Sequence, residues 1–146
     1  MSAQKVSPTS RADYHAFEEI HSRWMDNDVY GHINNVVYYS FFDTAVNRYL
    51  INHHVLDIAK SEVVGLVVET HCNYFSPVVY PDLIQIGIKV VHLGNSSVKY
   101  EVAVFRNDEN IASALGHFVH VYVDRKTNKP TPIPANVRAV LQELAD

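Results

Sequence analysis

The sequence predicts an α+β domain in which an antiparallel sheet of about five strands wraps around one long apolar helix. Three observations carry that prediction. The segment NNVVYYSFFDTAVNRYLINH has helical character and hardly any polar face. After Ser61 the pattern switches to alternating apolar and polar residues, and it continues, broken by turn residues, as far as Val123. A short mixed stretch before the helix, Phe17 to Trp24, supplies one more strand.

The elements follow in order. Met1 to Asp13 is small and polar without periodicity and reads as a flexible lead-in, so a single domain is expected over residues 14–146. Asp26, Asn27 and Asp28 form a polar turn after the first strand. The helix is expected to start at Asn34 or Asn35, either of which can cap its first turn, and to end near Asn52. With apolar residues nearly all round, it has to be buried on most sides. In the strand Val63 to Phe75, the even-numbered residues Val64, Leu66, Val68, Thr70, Cys72 and Tyr74 share one face. Ser76-Pro77 and Tyr80-Pro81-Asp82 punctuate the chain before a strand from Ile84 to Val90. Gly94-Asn95 turns into a strand over Val98 to Val104, and Asn107 to Asn110 turns into a last run, Ile111 to Val123. A short amphipathic helix closes the chain, with Val137, Val140, Leu141 and Leu144 at helical spacing. Five antiparallel strands curled about one apolar helix have the shape of the hotdog fold. Such a sheet leaves an open edge strand and a bare helix flank, which pairing with a second copy would cover, so a homodimer is expected, with a dimer of dimers (homotetramer) as its extension.

Composition narrows the function classes. At 146 residues, 47% hydrophobic and with nine Tyr and six Phe, the chain can bury a core. A net charge of −4 speaks against nucleic acid as a partner, since phosphate binding needs clustered Lys and Arg. No run approaches the roughly 18 apolar residues of a membrane span, so no membrane partner is expected. The single Cys72 cannot form an internal disulfide and the opening MSAQKVSPTSRADYH lacks a signal-like apolar run, so a reducing, cytoplasmic home is expected.

The densest chemical signal is the loop Arg23-Trp24-Met25-Asp26-Asn27-Asp28-Val29-Tyr30-Gly31-His32-Ile33-Asn34-Asn35. A carboxylate at the mouth of a helix amino end lies close to backbone N–H groups without an intrahelical partner. Such donors polarise a carbonyl oxygen and stabilise negative charge that develops on it. On spacing alone, Asp26 and Asp28 are equally well explained by turn and capping work, and His32 by a loop hydrogen bond. No further His or Cys at ligand spacing completes a metal set, so no metal and no cofactor are expected. Cys72 shares a strand face with Val64, Leu66 and Val68 and is expected to be a buried, unreactive thiol.

The D-x-D-x-x-G-H-x-N-N pattern of Asp26 to Asn35, followed by the apolar helix and four strands, resembles the 4-hydroxybenzoyl-CoA thioesterase family of hotdog acyl-CoA thioesterases over Phe17 to Val123. The resemblance implies an acyl-CoA substrate and a thioester hydrolase. It implies Asp28 as the catalytic carboxylate and the backbone N–H of Asn35 as the group that polarises the thioester carbonyl. Many relatives carry His or Tyr where Asn35 stands. Gly31 matches the glycine that lets the loop bend, and Tyr38 matches a frequent aromatic on the helix. The His32-Ile33-Asn34-Asn35 portion is also similar to the plant acyl-carrier-protein thioesterases, which draws His32 into the candidate set; those enzymes carry Asn at the position of Tyr30.

The reaction that follows is hydrolysis to free acid and coenzyme A, with Asp28 as nucleophile or as general base and the helix amino end as oxyanion hole. Tyr30, Gly31 and Tyr38 are expected to contact substrate, with Phe41 and Phe42 beside Tyr38 either lining an acyl slot or simply filling the core. Ser96 and Ser97, in the Gly94 to Ser97 turn, offer donors for the nucleotide phosphates or form a plain hairpin turn. Two alternatives remain in the same fold: an acyl-carrier-protein thioesterase and a noncatalytic acyl-CoA-binding protein. A hotdog dehydratase is disfavoured by the absence of a His-Phe-Pro stretch.

Overall fold

A computed structural model describes residues 5–145. Five strands, β1 (Ala16–His21), β2 (Val63–Tyr74), β3 (Leu83–Leu93), β4 (Ser97–Arg106) and β5 (Ala114–Asp124), form one antiparallel sheet in the order β1-β3-β4-β5-β2. The long helix α1 (Val37–Asn52) lies on one face, and α2 (Ala135–Leu144) packs beside β3. This is the expected α+β hotdog arrangement.

The central strands follow the alternation read from the sequence. Ile84, Ile86 and Ile88 of β3, with Val98, Tyr100, Val102 and Val104 of β4, are buried in the core. Against them α1 turns Tyr38, Phe41, Phe42, Ala45, Val46 and Leu50. Gly116 on β5 makes this close approach possible, because a Cβ there would fall 2.5 Å from the Phe42 ring and 2.9 Å from the His71 carbonyl oxygen.

Four details depart from expectation. The even-numbered face of β2 does not persist, because the register against β5 shifts between Val67 and Glu69. Gly65 and Val67 stand opposite the inward residues Tyr122 and His120, whereas beyond the bulge Thr70, Cys72 and Tyr74 stand opposite Phe118, Gly116 and Ala114. Leu66 is thereby turned outward. The helix is also less enclosed than its apolarity suggests: Ser40, Asp43, Thr44, Arg48 and Ile51 are exposed along the flank away from the core. Trp24 is not in the first strand, which ends at His21; it opens a 3-10 turn, Trp24–Asp26. Much of the supposed lead-in is fastened: Ala112 N–H donates to Thr9 O, Arg11 N–H donates to Asn110 O, and the Arg11 guanidinium reaches Glu109 O and Asn107 O. Met1 to Gln4 lie outside the described residues. The closing helix α2 stands where its apolar spacing predicts and is docked: Val137, Leu141 and Leu144 are buried, and Arg138 donates to Gly94 O.

Candidate active site

The loop between β1 and α1 is built from short-range hydrogen bonds. Asp26 is 2% exposed, and its carboxylate accepts from the Arg23 N–H at 2.8 Å and the Arg23 guanidinium at 2.9 Å. That pairing commits Asp26 to structure. Its carbonyl oxygen takes the Asn34 N–H at 2.9 Å, Asn27 pairs with Ile33, and Asp28 N–H donates to His32 O at 2.8 Å. The ends of the loop are thus zipped together. Gly31 bends its tip with φ +87°, a conformation side chains disfavour. Ile33, buried, anchors the loop through its N–H to Val78 O, and Tyr80 N–H donates to the Asn27 side chain.

Asp28 does turn work with half of its carboxylate. Oδ1 accepts the Tyr30 N–H at 2.8 Å, while Oδ2 lies 3.6 Å from Nδ1 of His32. The Asp28 side chain is 19% exposed and that of His32 45%. Tyr30 stacks on His32 with ring centroids 6.4 Å apart.

The helix start differs from expectation. Asn34 and Asn35 precede α1 in a tight turn, closed by i to i+3 bonds from Val37 N–H to Asn34 O (3.0 Å) and from Tyr38 N–H to Asn35 O (3.3 Å). A trans peptide points its C=O and N–H in opposite directions. Because Asn34 O faces into the first turn, the Asn35 N–H faces back out of the helix. The neighbouring Val36 N–H is taken by the Asn34 side chain at 3.2 Å, but the N-cap position falls to Val36 with no side-chain cap bond, so neither of the two expected Asn residues caps α1. Asn35 N–H keeps no partner among the described residues.

These groups meet at a cleft of about 760 Å³, with Asp28, Tyr30, His32, Asn35 and Tyr38 in its wall. Gly31 shapes the loop without lining the cleft. The opposite wall comes from the end of β2, Tyr74 to Pro77, which the sequence reading missed. Phe75 and Ser76 N–H both donate to Ser113 O at the start of β5, and this fixes that wall. The only available signal was the Ser76-Pro77 turn, and nothing in it points to a segment so distant in the chain.

Ser96 and Ser97 are not brought to the cleft. They sit at the start of β4, whose far end at Arg106 donates to Pro77 O, roughly 30 Å away along an extended strand. The hairpin is occupied instead by Ser96 O accepting from Tyr122 N–H and Asn95 O accepting from Ile133 N–H. Phe41 and Phe42 are core, while burial pushes the Tyr38 hydroxyl up to about 12 and so keeps it neutral. Burial likewise pushes the Cys72 thiol up to about 11, which leaves it a poor nucleophile. Among the described residues no group of three or more His, Cys, Asp or Glu is placed to hold a metal ion, and no helix is long and apolar enough to cross a membrane.

Fold and site together define a hotdog domain that carries a carboxylate loop at the mouth of its long helix. Residues 22–141 match the family model of the Thioesterase-like superfamily, and the chain belongs to that family. It is 29% identical over 120 residues to the long-chain acyl-CoA thioesterase FadM of Escherichia coli strain K12, a match covering 80% of this chain and 89% of FadM. The crystal structure of the PA5185 protein from Pseudomonas aeruginosa strain PAO1 is 50% identical, with a TM-score of 0.93 over 95% of this chain and 97% of that one. Slr0204, a 1,4-dihydroxy-2-naphthoyl-CoA thioesterase from Synechocystis, shares the fold at 14% identity, with a TM-score of 0.78 over 88% of this chain and 96% of that one.

Proposed function

We propose that this protein hydrolyses thioesters of coenzyme A to the free acid and coenzyme A, with Asp28 as its catalytic carboxylate. The observation that carries the reading is the shared cleft of Asp28 and Asn35, whose outward-facing N–H has no partner among the described residues. The kinship to FadM supports the substrate class.

The chemistry follows from that pairing. The thioester carbonyl oxygen lies at the Asn35 N–H, where the helix end stabilises the negative charge that develops on attack. Asp28 uses Oδ2, because Oδ1 is held by Tyr30 N–H. In the general-base route Oδ2 takes a proton from water, the water oxygen bonds to the carbonyl carbon, and the tetrahedral anion collapses by breaking the C–S bond. Coenzyme A departs as a thiolate and is then protonated. In the nucleophilic route Oδ2 itself bonds to the carbon, the thiolate leaves a mixed anhydride, and water cleaves that anhydride to regenerate Asp28. His32 stands beside Oδ2, its Nδ1 3.6 Å away, while Tyr30 and Tyr38 flank the acyl group.

A second copy completes the particle. β2 is an edge strand with Leu66, Val67 and Val68 exposed, Val68 to 61%, and the bare flank of α1 adjoins it. Pairing two copies along β2 covers both surfaces, and a dimer of dimers is the further step. A cytoplasmic location suits the single free thiol.

The test is thiol release from a panel of aromatic acyl-CoAs, as the resemblance to the 4-hydroxybenzoyl-CoA thioesterases suggests, long-chain acyl-CoAs, as for FadM, and the matching acyl-carrier-protein thioesters. Release from acyl-CoA supports the reading. Binding without release would make the chain a noncatalytic acyl-CoA binder, and release from carrier protein alone would move it to the acyl-carrier-protein thioesterases.

A further inference from the structure

Tyr74 is the last residue of β2 and stands in the cleft wall opposite the loop. Its hydroxyl donates a hydrogen bond to the Asn35 carbonyl oxygen at 2.9 Å. Its ring meets Tyr38 edge-on, with centroids 4.9 Å apart and planes at 81°. Asn35 belongs to the turn before α1, so regular helical bonding does not hold it. The Asn35 carbonyl accepts only a long 3.3 Å bond from Tyr38 N–H within that turn, and Tyr74 supplies a shorter second one from the sheet. The hydroxyl stays protonated, and therefore a donor, because burial raises its pKa and the neighbouring Cys72 adds to the effect.

We propose that Tyr74 is a positioning residue that aims the Asn35 N–H at the thioester carbonyl, by tying the Asn35 carbonyl to the end of β2. This rests on the thioesterase reading above. The carbonyl and the N–H of Asn35 flank one Cα, so fixing the first restrains rotation of the second. A donor stabilises an oxyanion only where its N–H points at the oxygen's position in the transition state, and small misplacements there are costly. The turn has bonds of its own at Asn34 and Val36, but these tie it to the loop and to itself. Tyr74 is the tie to the opposite wall, so it sets the cleft width at the reacting carbonyl as well as the donor's direction. Tyr38 takes a different part, since its contact with Tyr74 is between rings.

The experiment compares wild type with Tyr74→Phe, which keeps the ring and its packing on Tyr38 and removes only the donor. With an acyl-CoA that wild type hydrolyses, kcat is expected to fall about tenfold while KM stays within about twofold, because the loss is felt in the transition state. The melting temperature is expected to stay near that of wild type. Infrared difference spectra of a thioester bound to Asp28→Asn provide a readout independent of turnover. The carbonyl band is expected below its solution frequency in Asp28→Asn and to move back toward that frequency in Asp28→Asn with Tyr74→Phe. An unchanged kcat in Tyr74→Phe, or an unmoved carbonyl band, overturns the positioning role. So does a rise in KM matching the fall in kcat together with a lowered melting temperature, which marks Tyr74 as merely structural. A wild type that releases no thiol from any acyl-CoA overturns the thioesterase reading itself, and this shows before any variant is made.

Discussion

Tyr30 N–H donates to Oδ1 of Asp28 at 2.8 Å, and this single bond divides the carboxylate into a structural half and a free half. It explains why turn work and catalysis are not competing explanations of Asp28. The Asx-type bond holds the side chain in one rotamer and leaves Oδ2 beside His32 at the cleft. In the proposed mechanism a carboxylate held this way needs little reorganisation.

The loop tip depends on Gly31. At φ +87° a Cβ would meet nothing within 4 Å, so Gly31→Ala suffers backbone strain alone. A loss of about 1–2 kcal/mol is expected in urea unfolding, with a larger fall in kcat/KM than the stability loss alone would cause. A variant as stable and active as wild type would show that the bend is not needed.

His120 makes stability depend on acid. It is 2% exposed, its Nδ1 has no hydrogen-bond partner among the described residues, and burial lowers its pKa to about 4, opposed by the Asp43 carboxylate. The unfolded chain takes up a proton near pH 6.5 that the folded chain refuses until about pH 4. The contribution to stability is therefore intact above about pH 6.5 and is lost as pH falls toward 4, by up to about 3 kcal/mol. Urea unfolding at pH 7 and pH 4.5 measures it, and His120→Met is expected to lose clearly less stability over that interval. Equal losses in the two proteins would assign the acid sensitivity to other groups.

Gly116 sets how closely α1 approaches the sheet. Gly116→Ala places a methyl against the Phe42 ring and the His71 carbonyl, and the expected cost is about 1–3 kcal/mol. Thermal unfolding reads it directly, and an unchanged melting temperature would mean that helix and strand separate without penalty.

Val67 reports on the second copy. It faces the groove between α1 and β2, beside Tyr39 and Phe118, at the open edge of the sheet. Light scattering with size-exclusion chromatography is expected to give a dimer or larger for wild type and a monomer for Val67→Lys. A monomeric wild type would refute pairing along β2.

The parts of the molecule legible in the sequence were those governed by neighbours in the chain. Ile84 to Ile88 and Val98 to Val104 were legible because apolar residues recur at every second position on the face turned toward α1, although Ala103 and Phe105 on the other face are also buried, in a second cluster with Tyr14 and Ala112. That Asp28 and Asn35 line one cleft was legible for a similar reason, as one short loop carries both. The reading failed where one residue changes register or where distant segments meet. The bulge at Val68 turns Leu66 outward, yet Val64 to Tyr74 still looks like an unbroken alternation. Tyr74 acts on Asn35 across 39 positions of sequence through a pairing order that no local pattern reveals. Nor could local pattern tell that the Ser96-Ser97 hairpin, read as phosphate donors or as a plain turn, lies at the end of β4 away from the cleft.

The central claim is that Asp28 carries the chemistry while its turn stays intact, and Asp28→Asn separates the two, because asparagine keeps an acceptor for Tyr30 N–H and loses the charge. The decisive measurement is kcat/KM for acyl-CoA hydrolysis in wild type and Asp28→Asn, with circular dichroism and oligomeric state recorded on the same samples. A fall of about 10²–10⁴-fold with fold and assembly unchanged is the predicted result; turnover close to wild type in a correctly folded Asp28→Asn would contradict it.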